Sequence, residues 1–288
     1  MKIGLYTKVI NSPRQLKLLE DMIAFLLKEQ VDVCLHNQLA EQLDKGYKLP
    51  EFGMLCKAQP NLDFLISVGG DGTILSAVEI TGDSQVPIIG VNTGRLGFLA
   101  NVSTDGFITA FNELKNGNYT LDKRTLLQLE SNTDLFRFNY GLNDFVLHKK
   151  ETSSMITVHA FLNGEPLNSY WADGLIIATP TGSSGYSLSC GGPILFPKSS
   201  SLVVTPIAPH NLNVRPVIVP DDQVLSFEIE GRSTQFLASL DSRSVTIDQT
   251  VQIAIRKADF GINLVRFEGD TFLKTLRNKM LWGMDNRN

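Results

Sequence analysis

Cysteine is scarce in this chain. Cys34, Cys56 and Cys190 are odd in number, scattered, and form no Cys-x-x-Cys pair. That pattern points away from a disulfide framework and a zinc site, and toward a reducing cytoplasm. Long apolar runs are missing too: none approaches the roughly 18 residues a membrane-spanning helix needs. Met1 to Tyr6 enters a strand-like run directly, without the basic, long apolar and small-residue pattern of a signal peptide. There is no excess of positive charge, the formal net charge being -4 and the pI about 5.6. No broad nucleic-acid surface is therefore expected. The four histidines, His36, His148, His159 and His210, do not cluster at metal-ligand spacing and read as structural or exposed. Two nucleotide signatures are also absent. No Gly-x-Gly-x-x-Gly follows the first strand with an acidic residue about 20 positions on, and no Walker pattern ends in Gly-Lys-Ser/Thr. Those absences exclude an ordinary Rossmann dehydrogenase and an ordinary P-loop kinase.

What is present is a globular chain of 288 residues, 43% hydrophobic and 19% charged, enough for one large domain or two ordinary ones. Lys2–Thr7 reads as a strand. Ser12-Pro13-Arg14-Gln15 then starts a helix, with Ser as cap, Pro at the first helical position and Gln three residues beyond the cap. Leu16, Leu19, Ile23, Leu26 and Leu27 give that helix an apolar face. Strands at Val31–Leu35, Leu62–Val68 and Val86–Val91 alternate with helical segments, one of them Thr104–Lys115, while Gln38–Pro60 is weakly patterned. The alternation argues for an α/β domain with a parallel sheet over residues 1–120. From about Tyr119 short β-rich runs take over, among them Leu126–Glu130, Leu135–Tyr140, Met155–Leu162, Val214–Val219, Val251–Arg256 and Ile262–Phe267. Asn163-Gly164 marks a hairpin. Residues 121–267 are thus expected to form a mainly antiparallel β domain, followed by a helix over Thr271–Met280.

Three stretches carry chemistry. Gly69-Gly70-Asp71-Gly72-Thr73 lies between a strand and a helix, where backbone N–H groups attract phosphate and glycines allow close approach. A carboxylate beside phosphate is electrostatically unfavourable unless it takes a proton or holds a metal. The plainer alternative is that Asp71-Gly72 is only a tight turn. The second stretch runs from Asp173 to Ser189, a strand entering a loop dense in hydroxyls and glycines. It offers donors for phosphate or ribose and a ring at Tyr186, or else is an exposed loop with a helix cap at Ser183. The third, Asn143-Asp144, suits a ribose diol but is also a common turn pair.

Together with Asn92-Thr93-Gly94-Arg95-Leu96-Gly97-Phe98-Leu99 and the closing Leu276–Gly283, these stretches resemble the NAD kinase family over nearly the whole chain. The resemblance implies phosphoryl transfer from ATP to the 2′-hydroxyl of the adenosine ribose of NAD, giving NADP. Asp71 would be the general base. The Gly69, Gly70 and Gly72 backbone, with Thr73, would cradle donor phosphates whose charge Mg²⁺ or another divalent cation offsets. Phe98 would pack against the acceptor adenine, Asn143 and Asp144 would grip a ribose, and Asp173 would read a base or carboxamide edge. Thr181 and the run Ser184, Gly185, Tyr186, Ser187, Leu188 and Ser189 would line the pocket, Tyr186 stacking. Ala208 would give a backbone contact. No protein metal ligand is assigned. The family also implies a β-rich domain that builds a homo-oligomer, dimer or tetramer, with a neighbouring subunit completing the site. The tail, 268–288, would rejoin the first domain, and the enzyme would be cytoplasmic with neither nucleic acid nor membrane as partner.

Two positions depart from the family pattern. Arg243, in Asp241-Ser242-Arg243, stands where the family usually has Gln, and either replaces an amide contact with a charge or is a plain surface arginine. Gly185 stands where Ala is usual. His210 draws interest only through its nearness in sequence to Ala208. The basic positions Arg256, Lys257, Arg266, Lys274, Arg277 and Lys279 read as solvated faces. Rival readings remain: a lipid kinase of the diacylglycerol type shares the glycine turn, and a non-catalytic dinucleotide sensor would bind NAD without consuming ATP.

Overall fold

The structure, a computed structural model, describes residues 1–43, 48–55, 62–94, 97–151 and 154–280. Cys56, Arg95, Leu96, Leu281, Trp282 and Gly283, and parts of the Gln38–Pro60 stretch, lie outside the described residues. The chain divides into two units: Met1–Lys123 together with Ile262 onward, and Arg124–Gly261.

The first unit opens with β1 (Lys2–Tyr6), α1 (Pro13–Lys28), β2 (Asp32–His36), α2 (Asn37–Gln42) and β3 (Glu51–Phe52). It continues with β4 (Phe64–Val68), α3 (Asp71–Thr81), β5 (Ile88–Asn92), β6 (Val102–Ser103) and α4 (Phe107–Lys115). Helix α1 starts where its sequence dictates: the Gln15 N–H donates to Ser12 Oγ at 3.2 Å, and Gln15 Oε1 accepts from the Asn11 N–H at 2.9 Å. Its buried face is Leu19, Met22, Ile23 and Leu26, whereas Leu27, expected inside, is exposed. Leu27 lies about 100° round the helix from Leu26, off the sheet-facing stripe. Strands β3, β2, β1, β4 and β5 pair in that order, all parallel. The sequence order reverses between β1 and β4, the switch point beside which α/β sheets leave a crevice at their strand C-termini. The glycine turn follows β4 at that place.

The second unit comprises β7 (Tyr119–Ser131, beginning in the first unit), β8 (Tyr140–Gly141), β9 (Asp144–Lys149), β10 (Ile156–Leu162), β11 (Glu165–Ala172) and β12 (Gly174–Ala178). A 3₁₀ turn at Gly182–Ser184 and the single-turn α5 (Tyr186–Ser189) follow. Then come β13 (Ser201–Ile207), β14 (Val217–Pro220), β15 (Leu225–Gly231), β16 (Phe236–Leu240), β17 (Arg243–Ile247) and β18 (Ile253–Phe267). Strands β14-β13-β12-β9-β16-β17 form one antiparallel sheet. Strands β11, β10 and β15 and the start of β18 pair antiparallel in another. Phe145, Leu147, Val158, Tyr170, Leu175, Phe227 and Phe236 meet in a common core. Val146, Ile176, Val203 and Leu195 form a smaller cluster. Consecutive β12 residues enter the two clusters alternately, so both faces of β12 are covered, which is why Gly174–Ala178 reads as an unbroken apolar run. Asn163 (φ 51°) and Gly164 (φ 84°) turn the β10–β11 hairpin.

Four expected strands differ. Leu135–Tyr140 is not a strand; only Tyr140–Gly141 pairs, because the Phe138 and Tyr140 carbonyls are taken by the Arg243 guanidinium. Val214–Val219 begins only at Val217, since Arg215 Nη1 donates to the Leu212 and Val214 carbonyls at 2.6 and 2.8 Å and holds a loop there. Val251–Arg256 and Ile262–Phe267 are a single strand, β18. Its last residues pair with β5 through Leu264 and Ile88, and α6 (Phe272–Met280) follows.

Candidate active site

The expected site residues fall into two groups, one in each unit. In the first, β4 ends at Val68 and α3 begins at Asp71, so Asp71 is the first helical residue rather than the middle of a turn. Gly70, at the cap position, supplies no side-chain cap to the helix N-terminus. Not every glycine here is needed by the backbone. Gly70 has φ -92°, and a Cβ at Gly70 or Gly72 would meet nothing within 4 Å. A Cβ on Gly69 would sit 2.2 Å from Thr73 Oγ1.

The Asp71 carboxylate is fully oriented. Oδ2 accepts the Phe98 N–H at 2.8 Å, and Oδ1 accepts the Leu99 and Ala100 N–H groups at 3.1 and 3.0 Å. Gly97 makes this approach possible, because a Cβ there would lie 1.8 Å from Oδ1. The Phe98 carbonyl accepts from Arg266 Nη2 at 3.2 Å, and Arg266 Nε pairs with Asp122 at 3.3 Å. Arg266 therefore belongs to the site's support, with only 11% of its side chain exposed, not to a solvated face. The Phe98 ring faces Phe272 at 6.4 Å, and Lys279 Nζ lies 5.4 Å from its centroid.

In the second unit the Asp173–Ser189 run is not an exposed loop. Thr179, Thr181, Ser183 and Ser187 are buried. Ser183 Oγ donates to the Pro180 carbonyl at 2.7 Å and accepts the Leu195 N–H at 2.9 Å, so it pins the loop rather than capping a helix. Ser187 Oγ and Thr205 Oγ1 are 2.8 Å apart. Arg124, a buried residue that no motif marks, donates to Thr181 Oγ1 at 3.1 Å. Ser184, Tyr186 and Ser189 remain on the accessible side. A methyl at Gly185 would stand 3.2 Å from the Gly182 carbonyl, a tight fit.

Asn143 and Asp144 stand at the start of β9, level with the end of β12, where Asp144 faces Ala178. Burial, together with Asp241, pushes the Asp144 carboxyl up to about 7. Burial raises Asp241 too, against its three backbone donors and Arg243. Arg243 is a clamp, not a surface arginine. It donates to the Phe138, Tyr140 and Leu240 carbonyls, lies 3.9 Å from Asp241, and rests against the Phe136 and Phe138 rings.

Asp173 and Ala208 occur at the other end of β12. The Asp173 N–H donates to the Ile207 carbonyl at 2.9 Å, and Lys149 pairs with the Asp173 carboxylate at 2.5 Å. Ala208 has φ 44°, a left-handed backbone rare for a residue with a side chain. His210 packs on Trp171 with centroids 4.2 Å apart. Tyr186 has its phenol raised first by burial, then by Cys190, Asp144 and Asp173. Among the described residues no three His, Cys, Asp or Glu side chains converge on a metal position.

A glycine turn opening a helix at a sheet switch point, with its carboxylate held by backbone donors, joined in one chain to an antiparallel unit with a hydroxyl-rich loop, defines a nucleotide phosphotransferase. Residues 9–119 match the ATP-NAD kinase N-terminal domain and residues 142–267 the ATP-NAD kinase C-terminal domain. The NAD kinase of Flavobacterium johnsoniae is 46% identical over 297 residues, covering all of both chains, and that of Cytophaga hutchinsonii 45% over 274, covering 93% and 94%. Yeast NADH kinase complexed with NADH shares the fold with a TM-score of 0.88 at 24% identity, over 99% of this chain and 89% of that one. An NAD kinase from Archaeoglobus fulgidus in complex with ATP gives 0.74 at 24%, over 98% and 99%. The chain belongs to the NAD kinase family.

Proposed function

We propose that the protein phosphorylates the 2′-hydroxyl of the adenosine ribose of NAD with ATP, giving NADP. Membership of the family carries this reading, and the geometry of Asp71 supplies its chemistry. A carboxylate has about four lone-pair positions. Three are taken by Phe98, Leu99 and Ala100, which leaves one on Oδ2 for a hydroxyl proton. The base is thereby aimed before substrate arrives. Gly70 and Gly72 leave open space where a Cβ would stand, which suits donor phosphates lying against the backbone at the α3 N-terminus. A divalent cation would ride on the ATP phosphates and neutralise their charge.

On the acceptor side, Asn143 and Asp144 hold a ribose, Phe98 packs on adenine, and Tyr186 with Thr181 and Ser184–Ser189 lines the dinucleotide pocket. Asp173 and Ala208 are five residues of β12 away from Asn143-Asp144, about 16 Å, too far to touch the same ribose or base. A second copy of the chain that offers its Asp173–Ala208 end beside Asn143-Asp144 accounts for both sets, so the working form is a homo-oligomer. Cys34 and Cys190 are free thiols, as a cytoplasmic protein allows.

The test is NADP formation by the purified protein from NAD, ATP and Mg²⁺, with Asp71→Asn beside it. NADP from the wild type and a fall of about 10² or more in the variant support the reading. NAD binding without NADP formation would replace it with a sensor. Mixing Asp144→Ala with Asp173→Ala subunits tests the shared site: activity regained on mixing supports it, and none regained overturns it.

A further inference from the structure

The backbone of Leu142-Asn143-Asp144 has six polar groups, and two distant residues hold all six. Asp241 accepts the N–H groups of Leu142 (2.8 Å), Asn143 (2.7 Å) and Asp144 (3.2 Å) on its carboxylate. Its own N–H donates to the Asp144 carbonyl at 2.9 Å. Thr179 takes the other two: its Oγ1 donates to the Leu142 carbonyl at 2.6 Å and its N–H to the Asn143 carbonyl at 2.9 Å. Thr179 is fully buried, and the Asp241 side chain is 4% exposed. Asp241 reaches its position through a left-handed backbone, φ 52°, a conformation that costs a residue with a side chain. Gly182 closes the arrangement, since a Cβ there would fall 2.1 Å from the Asn143 carbonyl oxygen. Nothing in this arrangement uses the Asn143 or Asp144 side chain. Both are left for a ligand, on a main chain that cannot rotate.

We propose that Asp241 and Thr179 are the positioning residues of the NAD-ribose contact, fixing the backbone from which the Asn143 amide and the Asp144 carboxylate are aimed. The inference rests on the reading that Asn143-Asp144 holds NAD. Asp241 has a second effect, electrostatic. It lies beside Asp144 in a buried place; Arg243 on β17 stands 3.9 Å from it, and Tyr186 is the further titratable group within reach of the Asp144 charge. A carboxylate that both fixes the main chain and repels the Asp144 charge ties the NAD affinity of the site to pH.

The experiment is steady-state kinetics of Asp241→Asn, Thr179→Val and Thr179→Ser on the whole protein, with Asn143→Ala as reference. In Asp241→Asn one acceptor oxygen becomes an amide facing N–H groups. KM for NAD should rise about tenfold or more while KM for ATP stays within about twofold, since lost charge-assisted bonds move one backbone only. The acid side of the kcat/KM profile for NAD should also move to lower pH, a change that mere loosening of the fold would not give. Thr179→Val should resemble Asp241→Asn in the two KM values, with no shift of the pH profile, and Thr179→Ser, which keeps the hydroxyl, should resemble wild type. Unchanged KM for NAD, or KM for NAD and ATP moving together, overturns the inference. If Asp241→Asn does not fold, the Thr179 pair decides by the same criteria. An Asn143→Ala variant with unaltered KM for NAD removes the underlying reading and the inference with it. An effect there with none at Asp241 or Thr179 removes the inference alone.

Discussion

Asp71 Oδ2 and the backbone N–H of Phe98 are 2.8 Å apart although 27 positions separate them in sequence, and that bond joins the start of α3 to the loop after β5. One carboxylate thus orders the loop that presents Phe98 and stands ready as a base. Asp71→Asn should lose both functions in unequal measure. Activity should fall about 10²-fold or more, while the melt should show a loss of only about 1–3 kcal/mol, because an amide oxygen still accepts two of the bonds. Gly97→Ala separates the roles from the other side. Its methyl would collide with Oδ1 at 1.8 Å, so activity should drop with Asp71 intact. Initial-rate assays with chemical denaturation of both variants check this.

The open space at Gly72 predicts that stability and activity part company. Gly72 lies in α3, and a methyl there meets nothing within 4 Å, so Gly72→Ala should stabilise the protein by about 0.5–1 kcal/mol through helix propensity. The same methyl occupies the place assigned to donor phosphate, so KM for ATP should rise. Thermal melts beside ATP titrations decide it; a variant both more stable and fully active would contradict the phosphate cradle.

Asp144 gives the stability curve a definite sign. Its folded-state value of about 7 lies above the ordinary 3.8, so protonation favours the folded form. That stabilisation is complete below about pH 3.8 and is lost as pH rises through about 7. At 1.36 kcal/mol per unit the whole change is about 4 kcal/mol. Asp144→Asn should flatten the dependence of melting temperature on pH between about 4 and 7 and melt above wild type at pH 8, while binding NAD less well. Differential scanning calorimetry across that range is the measurement.

Arg243 is expected to matter for stability more than for NAD. Its removal leaves the Phe138, Tyr140 and Leu240 carbonyls without their donor, so Arg243→Ala should cost about 2–4 kcal/mol. Arg243→Lys should recover only part, because an ammonium cannot fork among three acceptors. Urea denaturation of the two variants tests the order.

Local signals were legible in the sequence and long-range ones were not. The α1 cap, the strand–glycine turn–helix order and the Asn163-Gly164 hairpin all depend on neighbours within a few positions, and each stands as read. The parallel pairing of the first unit follows from strands alternating with helices, and the antiparallel pairing of the second from short β-rich runs separated by turns. No local pattern decides between a contact and a surface role for Arg243, because its acceptors at Phe138 and Tyr140 lie over a hundred positions upstream, and the same contact removes the strand expected at Leu135–Tyr140. Thr179 and Asp241 stood in plain sight within noted stretches. Their work is on another segment's main chain, which has no side-chain pattern to betray it.

Strand β18 carries a consequence for biosynthesis. It begins in the second unit and ends in the first, where Leu264 joins Ile88 of β5. The ribosome must therefore make the whole of Arg124–Gly261 before the earlier sheet can receive its last strand. At 5–20 residues per second that is a wait of about 7–30 s, during which the Ile88 end of β5, beyond the reach of β6 at Val91 and Asn92, has an edge open to any passing strand. The intervening unit is continuous in sequence and can mature first, so the half of the protein that is begun earliest is finished last.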